Sequence, residues 1–305
     1  MLPNFLIIGA QKAGSTFVHE CIREHPDAFI PRNEIAFFED PDYLDNEISQ
    51  FISIFDAVKN EKAIGIKCPD YLARPECPER IYKHIPNAKL IMVLRNPVDR
   101  AISAYYWFMQ VGIIPNRPLE QGLKDIISGL YDNQYPRSRE IINYGFYYEH
   151  LMRYLHYFEK NKLLIVLQSD LRENPRQVIS RIYRFLEIDD SFVPKTLTTR
   201  PKQSVYSLTR LKWLSAANRL FFYTYSSDED NMMVLHPIDN KLSKLCYYIF
   251  VAIDRYLLAF IFGNNNVKLN EYTRNILADI YIKDVALLEK FLGQELTKWK
   301  QGVQS

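Results

Sequence analysis

Residues 4–20 read N-F-L-I-I-G-A-Q-K-A-G-S-T-F-V-H-E, and the fold turns on how this stretch divides. Asn4 to Ile8 is a short apolar run of the kind that makes a buried strand. Gly9 to Gly14 is a glycine-bounded turn, and Ser15 and Thr16 open a helix. A strand, a glycine loop and a helix start aim several backbone N–H groups at one point, where the helix dipole also favours negative charge. Lys12 within the loop and the hydroxyls of Ser15 and Thr16 add side-chain donors. Such a nest suits a phosphate or a sulfate; the plainer alternative is an ordinary tight βα turn.

Similar apolar runs recur along the chain. Ile64 to Lys67 (I-G-I-K), Lys89 to Arg95 (K-L-I-M-V-L-R) and Leu163 to Leu167 (L-L-I-V-L) read as buried strands. Helical spacing is seen from Ser15 to Glu24, stopped by His25-Pro26, and again over Pro78 to Ile85, after Asn96-Pro97, and over Leu119 to Leu130, Tyr147 to Phe158 and about Pro175 to Leu186. Ala28 to Phe38 is an extended piece, a turn, and then Glu34 leading Phe37 and Phe38. Strand alternating with helix predicts an α/β fold with a three-layer parallel sheet. Past Pro194 the segments Tyr206 to Tyr223, 241–262 and Asn270 to Leu292 read as helical. The expected organisation is a single domain over 1–305, with an α/β nucleotide-binding core over 1–195 and a mainly helical extension over 196–305.

Composition narrows the class. The 305 residues are 48% hydrophobic and 24% charged, which is globular, and a net charge of +2 without a long basic run argues against a nucleic-acid partner. Cys21, Cys68, Cys77 and Cys246 lack the close spacing of zinc or redox pairs, so reduced thiols and a cytoplasmic protein are expected. Cys68 and Cys77 are near enough in sequence to meet, with or without a bond between them. Met1 lies a few residues ahead of the first strand, so no signal peptide is expected. Leu245 to Phe262 is apolar and aromatic, yet Asp254 and Arg255 sit in its middle, which favours a core or interfacial helix over a lipid-spanning one. Peripheral contact with the inner membrane face is compatible with this. His19, His25, His84 and His236 show no metal-ligand spacing, and His150 and His156 lie on or beside an aromatic-rich helix where structural roles are expected.

Two motifs carry chemistry. A nucleoside-triphosphate P-loop places its lysine directly after the second glycine, whereas Lys12 precedes Gly14, which demotes an ATP-dependent phosphotransferase to the second reading. Arg95 ends a buried strand just before Asn96-Pro97 and a helix, at the edge where open α/β sheets place ligands. G-A-Q-K-A-G-S-T (9–16) resembles the 5′-phosphosulfate loop of sulfotransferases that use 3′-phosphoadenosine 5′-phosphosulfate (PAPS). R-N-P-V-D-R-A-I-S (95–103) resembles their 3′-phosphate motif. The likeness is to the heparan sulfate sulfotransferase branch and its bacterial relatives. E-I-A-F-F (34–38), K-C-P-D-Y (67–71), Tyr144-Gly145-Phe146-Tyr147 and a closing segment from Tyr281 to Trp299 support it.

The resemblance implies PAPS as sulfate donor, no metal, and a carbohydrate or other small molecule as acceptor. It implies that Lys12 and the N–H groups of Ala13, Gly14, Ser15 and Thr16 hold the 5′-phosphosulfate, that Arg95 and Ser103 hold the 3′-phosphate, and that Tyr144 and Gly145 belong to the donor site. Glu34 matches the family's catalytic base, and Lys67 a lysine at the mouth of the site. Many relatives carry a lysine and a histidine where this chain has Asn33 and Ala36, so the acceptor side departs from a heparan-like pattern. A non-catalytic nucleotide or glycan binder is the other alternative; retention of Glu34 with Lys12, Arg95 and Ser103 speaks against it.

Overall fold

A computed structural model of the chain describes residues 1–199, 205–227, 233–238, 240–263 and 269–300. Its centre is a five-stranded parallel sheet of β1 (Phe5–Gly9), β2 (Ala28–Phe29), β3 (Ala63–Lys67), β4 (Lys89–Leu94) and β5 (Leu163–Leu167), in the order β2-β3-β1-β4-β5. Leu6 of β1 lies opposite Ile66 on one side and Leu90 on the other. All five residues of β1 are buried, because a central parallel strand is covered on both faces. Burial of Phe5, Leu6, Ile7 and Ile8 contributes roughly 1.5–3 kcal/mol per side chain before the entropy of ordering the chain is subtracted.

Helices link and flank these strands. α1 (Ser15–Arg23) leads from β1 towards the β2 edge, and α2 (Cys77–His84) lies between β3 and β4. α3 (Pro97–Val111), α4 (Leu119–Ile127) and α5 (Tyr147–Leu155) separate β4 from β5, and α6 (Pro175–Leu186) follows β5. The chain leaves β1 towards one side of the sheet and leaves β4 towards the other. The order therefore reverses between β1 and β4, and a crevice opens beyond their carboxyl ends.

The three-layer α/β expectation holds, and the four strands read from apolar runs are all present. The helical reading of the C-terminal part needs one correction. β6 (Tyr223–Ser227) and β7 (Met233–Pro237) pair antiparallel, so α7 (Leu208–Ala217) and the turn of wider helix at Asn218–Phe222 stop where the hairpin begins. Y-T-Y-S-S is too polar, and M-V-L-H-P too interrupted by His236 and Pro237, to look like buried strands. Helical turns at Asp45–Glu47 and Ile48–Ser53 also had no counterpart in the sequence reading. Two long helices follow, α8 (Lys241–Phe262) and α9 (Glu271–Leu292), and a helical turn at Thr297–Lys300 ends the described residues. The 196–305 extension also takes in 200–204, 228–232, 239, 264–268 and 301–305, which lie outside the described residues. Cys21, Cys68, Cys77 and Cys246 are all free thiols.

α9 is tied to the core by buried polar contacts. The Asp284 carboxylate accepts the N–H groups of Tyr148 and Glu149 at 3.0 Å each, capping the first turn of α5 from another helix. Tyr281 donates its hydroxyl to the Ile142 carbonyl at 2.8 Å, and Arg274 pairs with Asp99 of α3 at 2.5 Å.

Candidate active site

The loop between β1 and α1 is shaped by its backbone. Gly14 is the N-cap of α1 at φ 107°, a left-handed conformation open to glycine without a side-chain penalty. Lys12 also has positive φ, 64°, which is costly for a lysine and typical of residues held in place at functional sites. The Ala13 N–H donates to Ala10 O at 3.2 Å, closing the turn, and no side chain caps α1. Ser15 and Thr16 thus begin a helix whose first N–H groups have no intrahelical partner, the usual condition of an anion-binding helix start.

Three cations gather around this start from three strand ends. Lys12 rides in the loop after β1, Lys67 ends β3 and Arg95 follows β4. Burial pushes the Lys12 ammonium down to about 8; the neighbouring Arg95 and Lys67 add to the fall, and Glu34 opposes it. Arg95 donates from Nη1 to the Lys12 carbonyl at 3.2 Å, while its Nε is buried and has no partner among the described residues. Burial lowers the Arg95 guanidinium below its ordinary value too. Clustered cations, an orphaned guanidinium N–H and an uncapped helix start together form a donor set that fits a doubly phosphorylated anion. Trp107 of α3 stands beside it, its ring centroid 5.7 Å from Lys12 Nζ.

The predicted base sits against this cluster. Lys67, buried, reaches Thr16 Oγ1 at 2.9 Å and Glu34 Oε1 at 2.8 Å, so one ammonium touches both the donor loop and the carboxylate. Glu34 itself is 55% exposed and open to an incoming molecule. Its segment is hung on the end of β3: Ile35 N–H donates to Lys67 O at 3.0 Å, and Tyr71 Oη donates to Ile35 O at 2.5 Å and accepts from Phe38 N at 3.2 Å.

Ser103 is buried in the second turn of α3, behind Arg95 on the same strand–helix junction; Asn96 caps this helix by accepting the Val98 N–H at 3.0 Å. Tyr144 and Gly145 stand just ahead of α5. Gly145 is needed where the chain meets Tyr281, whose Cε1 would stand 2.6 Å from an added Cβ. The Tyr144 phenol joins a buried charged cluster of Glu39, Asp70, Arg74, Arg137 and Glu140; burial and then the Glu140 and Asp70 carboxylates push it well up. Both residues thus have packing reasons that their motif did not disclose. His150 donates from Nε2 to the Asn143 carbonyl at 2.9 Å.

That charged cluster is what the sequence concealed. Gln11 of the loop donates to Asp70 Oδ1 at 3.0 Å, Arg74 lies 3.6 Å from Glu39 and 3.2 Å from Glu140, and Arg137 meets Glu140 at 2.9 Å. Burial, then a neighbouring carboxylate, pushes Glu39 and Asp70 up from the ordinary carboxylate range. Arg74, Glu140 and Tyr144 also line a cavity of about 570 Å³. The nearest sequence signal was Asp70 inside K-C-P-D-Y.

The sequence model of the sulfotransferase domain matches residues 2–224, and the chain belongs to that family. The human bifunctional heparan sulfate N-deacetylase/N-sulfotransferase 2 is 34% identical over 212 residues, 65% of this chain and 23% of the relative. Mouse heparan sulfate glucosamine 3-O-sulfotransferase 6 is 31% identical over 184 residues, covering 60% and 52%. The Dictyostelium discoideum membrane-associated sulfotransferase kil1 is 36% identical over 113 residues, covering 36% and 24%. The chain thus matches between about a quarter and a half of these relatives' lengths. A sulfotransferase from Alicyclobacillus acidocaldarius shares the fold, with a TM-score of 0.68 at 22% identity over 98% of this chain and 99% of that one.

Proposed function

We propose that this chain, as one domain over 1–305, transfers the sulfuryl group of PAPS to a hydroxyl, rather than an amine, of a carbohydrate or other small acceptor in the cytoplasm. The observation that carries this is the convergence of Lys12, Lys67 and Arg95 on the start of α1, with Glu34 held 2.8 Å from Lys67. Lys12 and the first N–H groups of α1 bind the 5′-phosphosulfate and stabilise charge as the bridging S–O bond breaks. Arg95 and Ser103 hold the 3′-phosphate, and binding that remote group fixes the reacting sulfur in line with the acceptor. Glu34 takes the proton of the acceptor hydroxyl as its oxygen bonds to sulfur, and 3′-phosphoadenosine 5′-phosphate (PAP) leaves. Lys67 steadies Glu34 and faces the transferring oxygens. No residue role here calls on a metal.

Asn33 and Ala36 supply neither the cation nor the imidazole of many relatives, which favours an acceptor less anionic than heparan sulfate. The test pairs a thermal shift with a transfer assay. PAP raises the melting temperature of the wild type and of Glu34→Gln alike, while Glu34→Gln loses transfer by about 100-fold or more. Stabilisation by ATP–magnesium but not by PAP would overturn the donor assignment, and undiminished turnover in Glu34→Gln would move the base elsewhere.

A further inference from the structure

α8 is built the wrong way round for a soluble protein. Its mean hydropathy reaches 1.8 over an 18-residue window, yet only 6% of that window is buried. Leu242, Leu245, Ile249, Tyr256 and Phe260 recur at helical spacing and are all exposed, Tyr256 at 76% and Phe260 at 89%. Monomeric proteins rarely leave so long an apolar stripe in water.

The opposite face is committed to α7. Arg210 grips Asp254 through two hydrogen bonds of 2.8 Å, with both side chains under a tenth exposed. Trp213 stacks on Phe250 with centroids 4.5 Å apart and donates Nε1–H to the Phe250 carbonyl at 2.9 Å. The only acidic residue of α8 is thus neutralised inside the protein, and its exposed charges, Lys241, Lys244 and Arg255, are all positive.

We propose that the outward face of α8 docks on an anionic lipid bilayer, with the helix lying in the plane of the interface. The stripe would enter the boundary between headgroups and acyl chains, while Lys241 and Arg255 meet acidic headgroups. A helix of 22 residues offers about 33 Å of such contact. Crossing the bilayer would rupture the Arg210–Asp254 pair and place Asp254 and Arg255 in hydrocarbon. A parallel two-fold contact with a second copy would set Lys241 and Arg255 against their equivalents, which opposes that arrangement.

The experiment is cosedimentation of the full chain with vesicles of phosphatidylcholine alone or mixed 3:1 with phosphatidylglycerol. Binding to the anionic vesicles is expected, weakened by added salt. Tyr256→Glu combined with Phe260→Glu, both at exposed positions, should lower partitioning by about 100-fold with no change in melting temperature. Lys241→Glu with Arg255→Glu should erase the preference for anionic vesicles. Failure of the wild type to bind either vesicle, or unchanged binding by the Tyr256/Phe260 variant, would overturn the proposal. So would membrane association that survives alkaline carbonate, which marks a spanning helix. A vesicle-free dimer abolished by the Tyr256/Phe260 variant would assign the face to a second copy instead.

Discussion

The lowered pKa of Lys12 makes donor binding depend on pH in a calculable way. Without donor its ammonium titrates at about 8; a bound 5′-phosphate beside it restores the charged form and moves it back towards its ordinary value of about 10.4. Above pH 8 the site must therefore take up a proton to bind. Between pH 7.5 and 9 the apparent Kd for PAP should weaken about eightfold, or ~1.2 kcal/mol. The ligand's own phosphates, with second pKa values of about 6, are already doubly ionised over this range and do not contribute. Isothermal titration calorimetry at pH 9 in two buffers of different ionisation enthalpy should register uptake of about 0.9 proton. Lys12→Arg stays charged and should flatten the profile, whereas Lys12→Met should bind weakly at every pH. A Kd that is level from pH 7.5 to 9, or a slope that persists in Lys12→Arg, would refute the assignment of this cation to the donor phosphate.

Two further outcomes follow from neighbouring residues. Arg95→Ala should weaken PAP by about 10–100-fold, the worth of a charge-assisted hydrogen bond, while leaving adenosine 5′-phosphosulfate, which lacks the 3′-phosphate, unaffected; equal losses for both ligands in calorimetry would remove Arg95 from the 3′-phosphate. Glu39, raised by burial and by Asp70, keeps its proton in the folded state after the unfolded chain has lost it. The unfolded state then binds fewer protons, so stability should fall as pH rises from about 4.3 towards neutrality and beyond, by at most about 1.4 kcal/mol per pH unit. Melting temperatures of Glu39→Gln across pH 5 to 8 should show a shallower decline, and an identical slope would exclude Glu39 as its source.

The parts legible in the sequence share one physical cause. β1, β3 and β4 are buried on both faces and β5 is half-buried at the sheet edge, so each reads as an apolar run, and the residues at their carboxyl ends are located once the strands are. Lys12 and Arg95 became visible that way, whereas Lys67 and Glu34 were singled out through the family resemblance. The sheet order stayed hidden because nothing in β4 records that it adjoins β1. The hairpin at Tyr223–Ser227 and Met233–Pro237 escaped because its strands lack a buried face's apolar continuity. Gln11, Glu39, Asp70, Arg74, Arg137 and Glu140 come together from widely separated segments, and no local pattern encodes such a meeting. Tyr144 and Gly145 show the converse. A recognisable motif located them, but their contacts with the charged cluster and with Tyr281 are matters of packing.

The hydrogen bond from Ile35 N–H to the Lys67 carbonyl gives the site a built-in clock. Glu34 and Ile35 are consecutive in the chain, so the peptide that clasps the end of β3 also carries the carboxylate. Exchange of the Ile35 amide with deuterated solvent requires that clasp to open, and each opening lifts Glu34 away from Lys67. The exchange rate of one amide therefore counts how often Glu34 leaves Lys67, and an acceptor that seals the clasp would slow it.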